Sequence, residues 1–155
     1  MKTKIFLKIF FFILIFLNPS FAEVIKPNSS IDPSQVVKIQ LSALMKNDFP
    51  NKDRGIEQTW EFAHPNNKIF TGPLDRFKQM IKGESYKMLL NHRDHKISEL
   101  YSDKNKAVYE VIVMDDQKKY FMFKWQVEKY LKVGPLQNCW LTTLVSTPVP
   151  MGPSI

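Results

Sequence analysis

The chain has 155 residues, of which 44% are hydrophobic and 24% charged, with a formal net charge of +7 and a single cysteine. That length and mix describe one domain with a core of its own and exclude a disordered or low-complexity chain. With Cys139 alone no internal disulfide can form, so burial of apolar surface has to hold the fold together.

The first 22 residues read as a segment apart. Lys2, Lys4 and Lys8 precede the apolar run Ile9 to Leu17, Asn18 and Pro19 break it, and Ser20 and Ala22 are small residues flanking a cut after Ala22. This is the order of a secretory signal peptide, and the run is far short of the roughly 20 residues a membrane-spanning helix needs. No cysteine stands near the cut to carry a lipid. The expectation is an exported protein, periplasmic or extracellular, with no stable membrane span after cleavage. Losing the three lysines lowers the net charge from +7 to +4, and the remaining charges are scattered, so nucleic acid is not an expected partner.

Residues 23–31, with Pro27, Asn28, Ser29 and Ser30, have no periodicity and read as a flexible leader to a domain spanning 32–147. A first helix opens at Asp32, where the carboxylate can cap free amides, Pro33 fits the first turn and Gln35 completes a capping box. Val37, Leu41, Leu44 and Met45, flanked by Val36 and Gln40, form its apolar stripe. A second helix is expected over Asp53 to Ala63, with Ile56 and Trp60 on one side, ending before Pro65. A third begins at Pro73 and carries Leu74, Phe77, Met80 and Ile81 to Gly83.

From Ser85 the apolar period changes to two. Tyr86 to Asn91, Lys96 to Ser102, Ala107 to Met114, Lys119 to Leu131 and Asn138 to Ser146 are five candidate strands separated by turn-rich segments. In the fourth, Phe121, Phe123, Trp125 and Val127 alternate with Tyr120, Met122, Lys124, Gln126 and Glu128, giving one buried and one wetter face. Helices followed by an antiparallel meander define an α+β fold, three helices packed on a sheet of four to five strands that curls around them. The proline-rich tail 148–155 is expected to be loose.

The segment Phe62 to Phe77 is the expected place for a site. His64, Asn66, Asn67 and Thr71 could orient a small polar ligand over an apolar floor of Trp60, Phe77 and Trp125. The competing reading is a corner, in which the asparagines make turns and Thr71 caps the third helix. His92 and His95, with Asp94, offer at most three metal ligands in what reads as a hydrated hairpin turn, too few for zinc. Cys139 alternates with Trp140 on a strand, so it is expected to share a face with Leu141, Thr143 and Val145, and it reads as a small buried hydrophobe. Tyr120, Met122 and Tyr130 mark an outer face that could pair two copies into a homodimer or dock a protein.

The segments IQLSALMKND (Ile39 to Asp48), WEFAHPNNKIFTGPLDRF (Trp60 to Phe77) and CWLTTLV (Cys139 to Val145) resemble an uncharacterised domain-of-unknown-function family of the 4864 type. The resemblance runs from Pro33 to about Val145. Three helices and a curled meander are also similar to the nuclear-transport-factor-2-like superfamily, the cystatin-like cone fold. That resemblance implies a half-closed cone with a pocket at its open end. It implies no reaction, because the superfamily holds isomerases, dehydratases, cyclases and noncatalytic binding modules alike. Steroid-isomerase relatives set a tyrosine and two acids inside the cone, and the first helix here has no tyrosine.

Sequence reading therefore ends on an exported domain that binds a small molecule or a protein, with no catalytic set, metal or cofactor motif in view. One alternative is an isomerase or dehydratase using His64 with Asp48 or Asp75 as acid and base. Another is a structural component acting through Tyr120, Met122 and Tyr130.

Overall fold

A computed structural model of the chain describes residues 23–152, so the signal peptide expected over 1–22 lies outside the described residues. Four helices come first: α1 (Pro33–Met45), α2 (Arg54–Glu61), α3 (Pro65–Thr71) and α4 (Leu74–Lys82). After a 3-10 turn at Lys87–Leu89 come five strands: β1 (Asp94–Ser102), β2 (Lys106–Met114), β3 (Tyr120–Lys129), β4 (Trp140–Val145) and β5 (Val149–Met151). The strands make one open antiparallel sheet in the order β1-β2-β3-β4, with β5 pairing beside β4 on the same edge of β3. The α+β class and the curled sheet are as the sequence predicts.

The start of α1 follows from local chemistry. The Asp32 carboxylate accepts the Gln35 amide at 2.8 Å, and the Gln35 side chain accepts the Asp32 amide at 3.1 Å, which completes the capping box. Val36, Val37, Leu41 and Leu44 then turn inward onto Val111, Val113, Phe123, Trp125 and Val127, the buried face of the sheet. Helix α2 crosses α1 so closely that only glycine fits at position 55: a Cβ there would stand 2.2 Å from the Ala43 carbonyl oxygen. Asn47, itself buried, takes over the cap of α2, its carbonyl accepting the Gly55 amide and its Oδ1 the Ile56 amide. Lys78 to Glu57 and Lys82 to Asp53, at 2.8 and 2.7 Å, hold α4 beside α2.

Four sequence expectations are corrected. The leader is tied down rather than flexible: Ile25 exchanges both backbone hydrogen bonds with the Gln58 amide, at 2.7 and 2.9 Å, and Lys26 pairs with Glu61. The expected first strand, Tyr86 to Asn91, is the 3-10 turn, because its amides find partners three and four residues back, Leu89 on Tyr86 and Lys87 on Gly83. The tail is not loose up to Met151, since Val149 and Met151 pair with Met122 and Tyr120. An edge strand uses only alternate amides for pairing, which is how Pro150 is accommodated.

The fourth correction is His92, which is buried rather than in a hydrated turn. Its Nδ1 lies 2.7 Å from the Leu89 carbonyl and its Nε2 2.8 Å from His95 Nδ1. A carbonyl only accepts, so His92 carries its proton on Nδ1, and His95 must then donate from its own Nδ1. Burial lowers the pKa of both imidazoles, and on His95 the neighbouring Asp94 opposes this. Among the described residues no group of three or more His, Cys, Asp or Glu side chains could hold a metal.

Candidate functional site

Between the helices and the β3–β4 end of the sheet lies a cavity of about 250 Å³. Every helix contributes to it: Gln40 and Leu44 from α1, Thr59 from α2, Asn67 and Thr71 from α3, and Phe77, Met80 and Ile81 from α4. Trp125 of β3 and Thr142 to Val145 of β4 close the sheet side. No lining side chain is an acid, a lysine, an arginine or a histidine.

The shape of the cavity depends on an irregularity in β4. Gln126 faces Leu144 but the next residue, Val127, faces Thr142, so Thr143 is an extra residue on β4. Such a bulge bends the strand and re-aims its side chains. Here it turns the Thr142 hydroxyl into the protein and brings four consecutive residues to the cavity wall. The sequence expectation that Cys139, Leu141, Thr143 and Val145 share one face fails for that reason, since Trp140, Leu141 and Thr142 are all buried in a row. Cys139 itself is buried as expected, and desolvation raises its thiol pKa.

At the cavity floor stands a closed polar network. Gln40 Oε1 accepts from Thr142 Oγ1 at 2.6 Å and from Trp125 Nε1 at 3.0 Å, and Gln40 Nε2 donates to the Thr59 carbonyl at 3.0 Å. An indole nitrogen can only donate and a carbonyl can only accept, so the orientation of the Gln40 amide is fixed by its neighbours. Thr59 in turn donates its hydroxyl to the Gly55 carbonyl at 2.9 Å. Sequence reading placed Gln40 at the flank of an apolar stripe and gave it no part in the site. Its signal was a polar side chain one turn from both Val36 and Leu44, which are buried.

The residues singled out in the sequence divide between two places. Asn67, Thr71, Phe77 and Trp125 line the cavity. His64 and Asn66 instead line a second, more open depression with Glu128, Tyr130 and Lys132, which Asn67 also borders. Trp60 lines neither. Its ring lies 5.0 Å from that of Phe77, with the Lys68 ammonium over it at 5.0 Å. Thus Trp60, His64 and Asn66 do not line that cavity.

The connection from Phe62 to Phe77 is itself a helix, α3, and the corner reading needs the same correction. Asn66 and Asn67 are helical, and Thr71 donates to the Asn67 carbonyl at 2.9 Å instead of capping α4. His64 caps α3, its Nδ1 accepting the Asn66 amide at 3.1 Å, and desolvation lowers its pKa. The His64 ring packs on Tyr130, centroids 5.5 Å apart, and makes no hydrogen bond or ion pair with Asp48 or Asp75. Asp48 is committed elsewhere, to Asn47, the Asp53 amide and Asn91.

The outer face divides too. Tyr120 and Met122 are half-buried and lie across from Met114 and Ile112 on one side and Met151 and Val149 on the other. Tyr130, ten residues on and roughly 30 Å along an extended chain, belongs with His64. The three do not make one patch.

These features define an α+β domain with an open antiparallel sheet and an uncharged interior cavity. The chain belongs to the family described as Domain of unknown function (DUF4864), whose model matches residues 27–134. That match takes in α1 to β3 and stops before β4, short of the Val145 to which the sequence resemblance extends. No curated protein and no solved structure matches the chain. No helix among the described residues is long and apolar enough to cross a membrane.

Proposed function

We propose that the protein is an exported, noncatalytic domain that binds a small uncharged molecule in the cavity between α4 and β4. The observation that carries this reading is the lining: apolar walls from Leu44, Phe77, Met80 and Ile81, a few polar groups, and no charge. An acid/base enzyme needs titratable groups within reach of its substrate, and the nearest candidate, His64, lies in the other depression and is occupied as a helix cap. The order of helices and curled meander supports kinship with the cone fold. The charged, apolar and small-residue order of residues 1–22 supports export.

The binding reading is tested by recording nitrogen–proton correlation spectra of the exported protein during titration with neutral one- and two-ring compounds. The Trp125 indole signal should move, because its N–H lies at the cavity floor. An indole signal that stays still at millimolar ligand would end the reading. For export, expression with residues 1–22 attached should yield a periplasmic or secreted chain beginning at Glu23, and retention of Met1 in the cytoplasm would refute it.

A further inference from the structure

From the hydrogen-bond accounts of the cavity we infer the chemistry of its ligand: a neutral apolar body, one or two rings in size, carrying a hydroxyl group. This rests on the binding reading above and specifies it. At about 250 Å³ the cavity is larger than the ~150 Å³ space that accepts benzene. The rest follows from which lone pairs and hydrogens are already spent.

Three lining hydroxyls have no hydrogen to offer. Thr59 gives its proton to the Gly55 carbonyl at 2.9 Å, Thr71 to the Asn67 carbonyl at 2.9 Å, and Tyr86 to the Val145 carbonyl at 3.4 Å. Each therefore presents only lone pairs to the cavity. Asn67 adds another acceptor, since its Nδ2 is the group bonded to the Thr142 carbonyl at 3.1 Å and its Oδ1 is left over. Gln40 Oε1 cannot serve a ligand, because Thr142 and Trp125 already fill both of its lone pairs.

Free hydrogens are fewer. Thr143 turns its hydroxyl to Gln126, on the opposite face of the sheet from Trp125, so the lining side-chain hydrogen left over is the second amide hydrogen of Asn67. Thr71 and Asn67 thus offer acceptors and a donor together. A hydroxyl, which gives one hydrogen and takes another, satisfies both kinds. An ether or a bare hydrocarbon leaves the acceptors unmatched, and a carboxylate or phosphate would bury a charge where no lining cation answers it.

The test compares four probes of one shape, naphthalene, 2-methoxynaphthalene, 2-naphthol and 2-naphthoate, titrated into the exported protein at neutral pH and followed by calorimetry. The expected order is 2-naphthol tightest, by about fivefold over naphthalene for one added net hydrogen bond, with 2-methoxynaphthalene no better than naphthalene and 2-naphthoate weakest. Substituting Thr71→Val should shrink the advantage of naphthol over naphthalene. Binding of naphthalene or its methyl ether as tight as that of naphthol, or binding of the carboxylate as tight as either, would overturn the hydroxyl inference and leave the binding reading standing. Failure of all four to bind would overturn both. Should that variant fail to fold, the four-probe comparison on the natural sequence decides alone.

Discussion

Replacing Gln40 by methionine, which is nearly the same length, tests whether the floor of the cavity is held by its polar network. Gln40 is almost fully buried and makes three hydrogen bonds. Without it, Trp125 Nε1 keeps a longer contact to Thr142 Oγ1 at 3.4 Å, but the Thr142 hydroxyl and the Thr59 carbonyl lose their partners. Stranding a buried polar group costs about 1–3 kcal/mol, so two of them, partly relieved by the cavity beside them, should cost about 2–4 kcal/mol. Against the 5–15 kcal/mol typical of a folded domain that is a large share.

Urea unfolding measures it, through a lower midpoint at unchanged slope. Adding Trp125→Phe to Gln40→Met removes the partner donor as well. The pair should then show a coupling of about 1 kcal/mol, because the indole N–H no longer has only the longer contact to Thr142 in place of its bond to Gln40. A cost below about 0.5 kcal/mol for Gln40→Met, or no coupling to Trp125→Phe, would mean that apolar packing alone sets the floor and that the network is incidental.

Three further outcomes follow from the same structure. Gly55→Ala places a methyl group 2.2 Å from the Ala43 carbonyl oxygen and should destabilise by about 2 kcal/mol or more through separation of α1 and α2; a midpoint within error of the natural chain would show that the crossing is looser than described. Tyr109→Phe should be neutral or raise stability by up to about 1 kcal/mol, since the Tyr109 hydroxyl is buried without a partner and burial pushes its pKa up to about 12; a loss above 1 kcal/mol would require an acceptor for it. His92, His95 and His64 all have pKa values lowered from 6.5 by burial, so the unfolded chain binds more protons below that pH: stability is complete above 6.5 and declines as acidification proceeds toward the lowered folded values. His92→Gln should flatten that decline in unfolding midpoints taken between pH 7 and 5, and an unaltered slope would assign it to other groups.

How much of this could be read in advance depended on whether a feature repeats. Helix α1 was legible because its cap and its stripe are both local patterns, and β2 and β3 because strict alternation over Ala107 to Met114 and Tyr120 to Glu128 admits one reading. Helix α3 was missed since none of its residues is buried: Ile69 and Phe70 are 76% and 80% exposed, so there is no stripe to find. Only its ends were visible, His64 before Pro65 and Gly72 with a φ of 79° after Thr71. Met88, Leu89 and Leu90 form a short apolar run that periodicity cannot assign to a strand or a turn of helix. Half of the pocket list was right because Phe77 and Trp125 are apolar residues that any core would gather. Of the polar candidates Asn67 and Thr71 were right, while His64 and Asn66 were misplaced because they open α3, a helix that no apolar stripe announces. Thr142 was passed over because the extra residue Thr143 reverses which threonine faces inward.

That residue count matters because Thr142 joins nearly everything around the cavity. Its amide donates to the Phe62 carbonyl at 2.7 Å, and its carbonyl accepts both the His64 amide at 2.9 Å and the Asn67 side chain at 3.1 Å. Its hydroxyl meets Gln40. The end of α2, the start of α3, the middle of α1 and the sheet are thus tied through one position of β4. Helix α3 buries no side chain of its own, so these bonds, with the Thr71 and His64 contacts, must fix where Asn67 and Thr71 stand. In a regular ladder continued from the Leu144–Gln126 pair, Thr143 rather than Thr142 would face Val127, the Thr142 hydroxyl would turn to the opposite face, and Gln40 Oε1 would lose a donor that no apolar neighbour replaces. The bulge thus joins the sheet to polar groups that α1, α2 and α3 supply, Gln40, Thr59, Asn67 and Thr71, which like the apolar walls from α1, α4 and β3 lie within the matched residues 27–134.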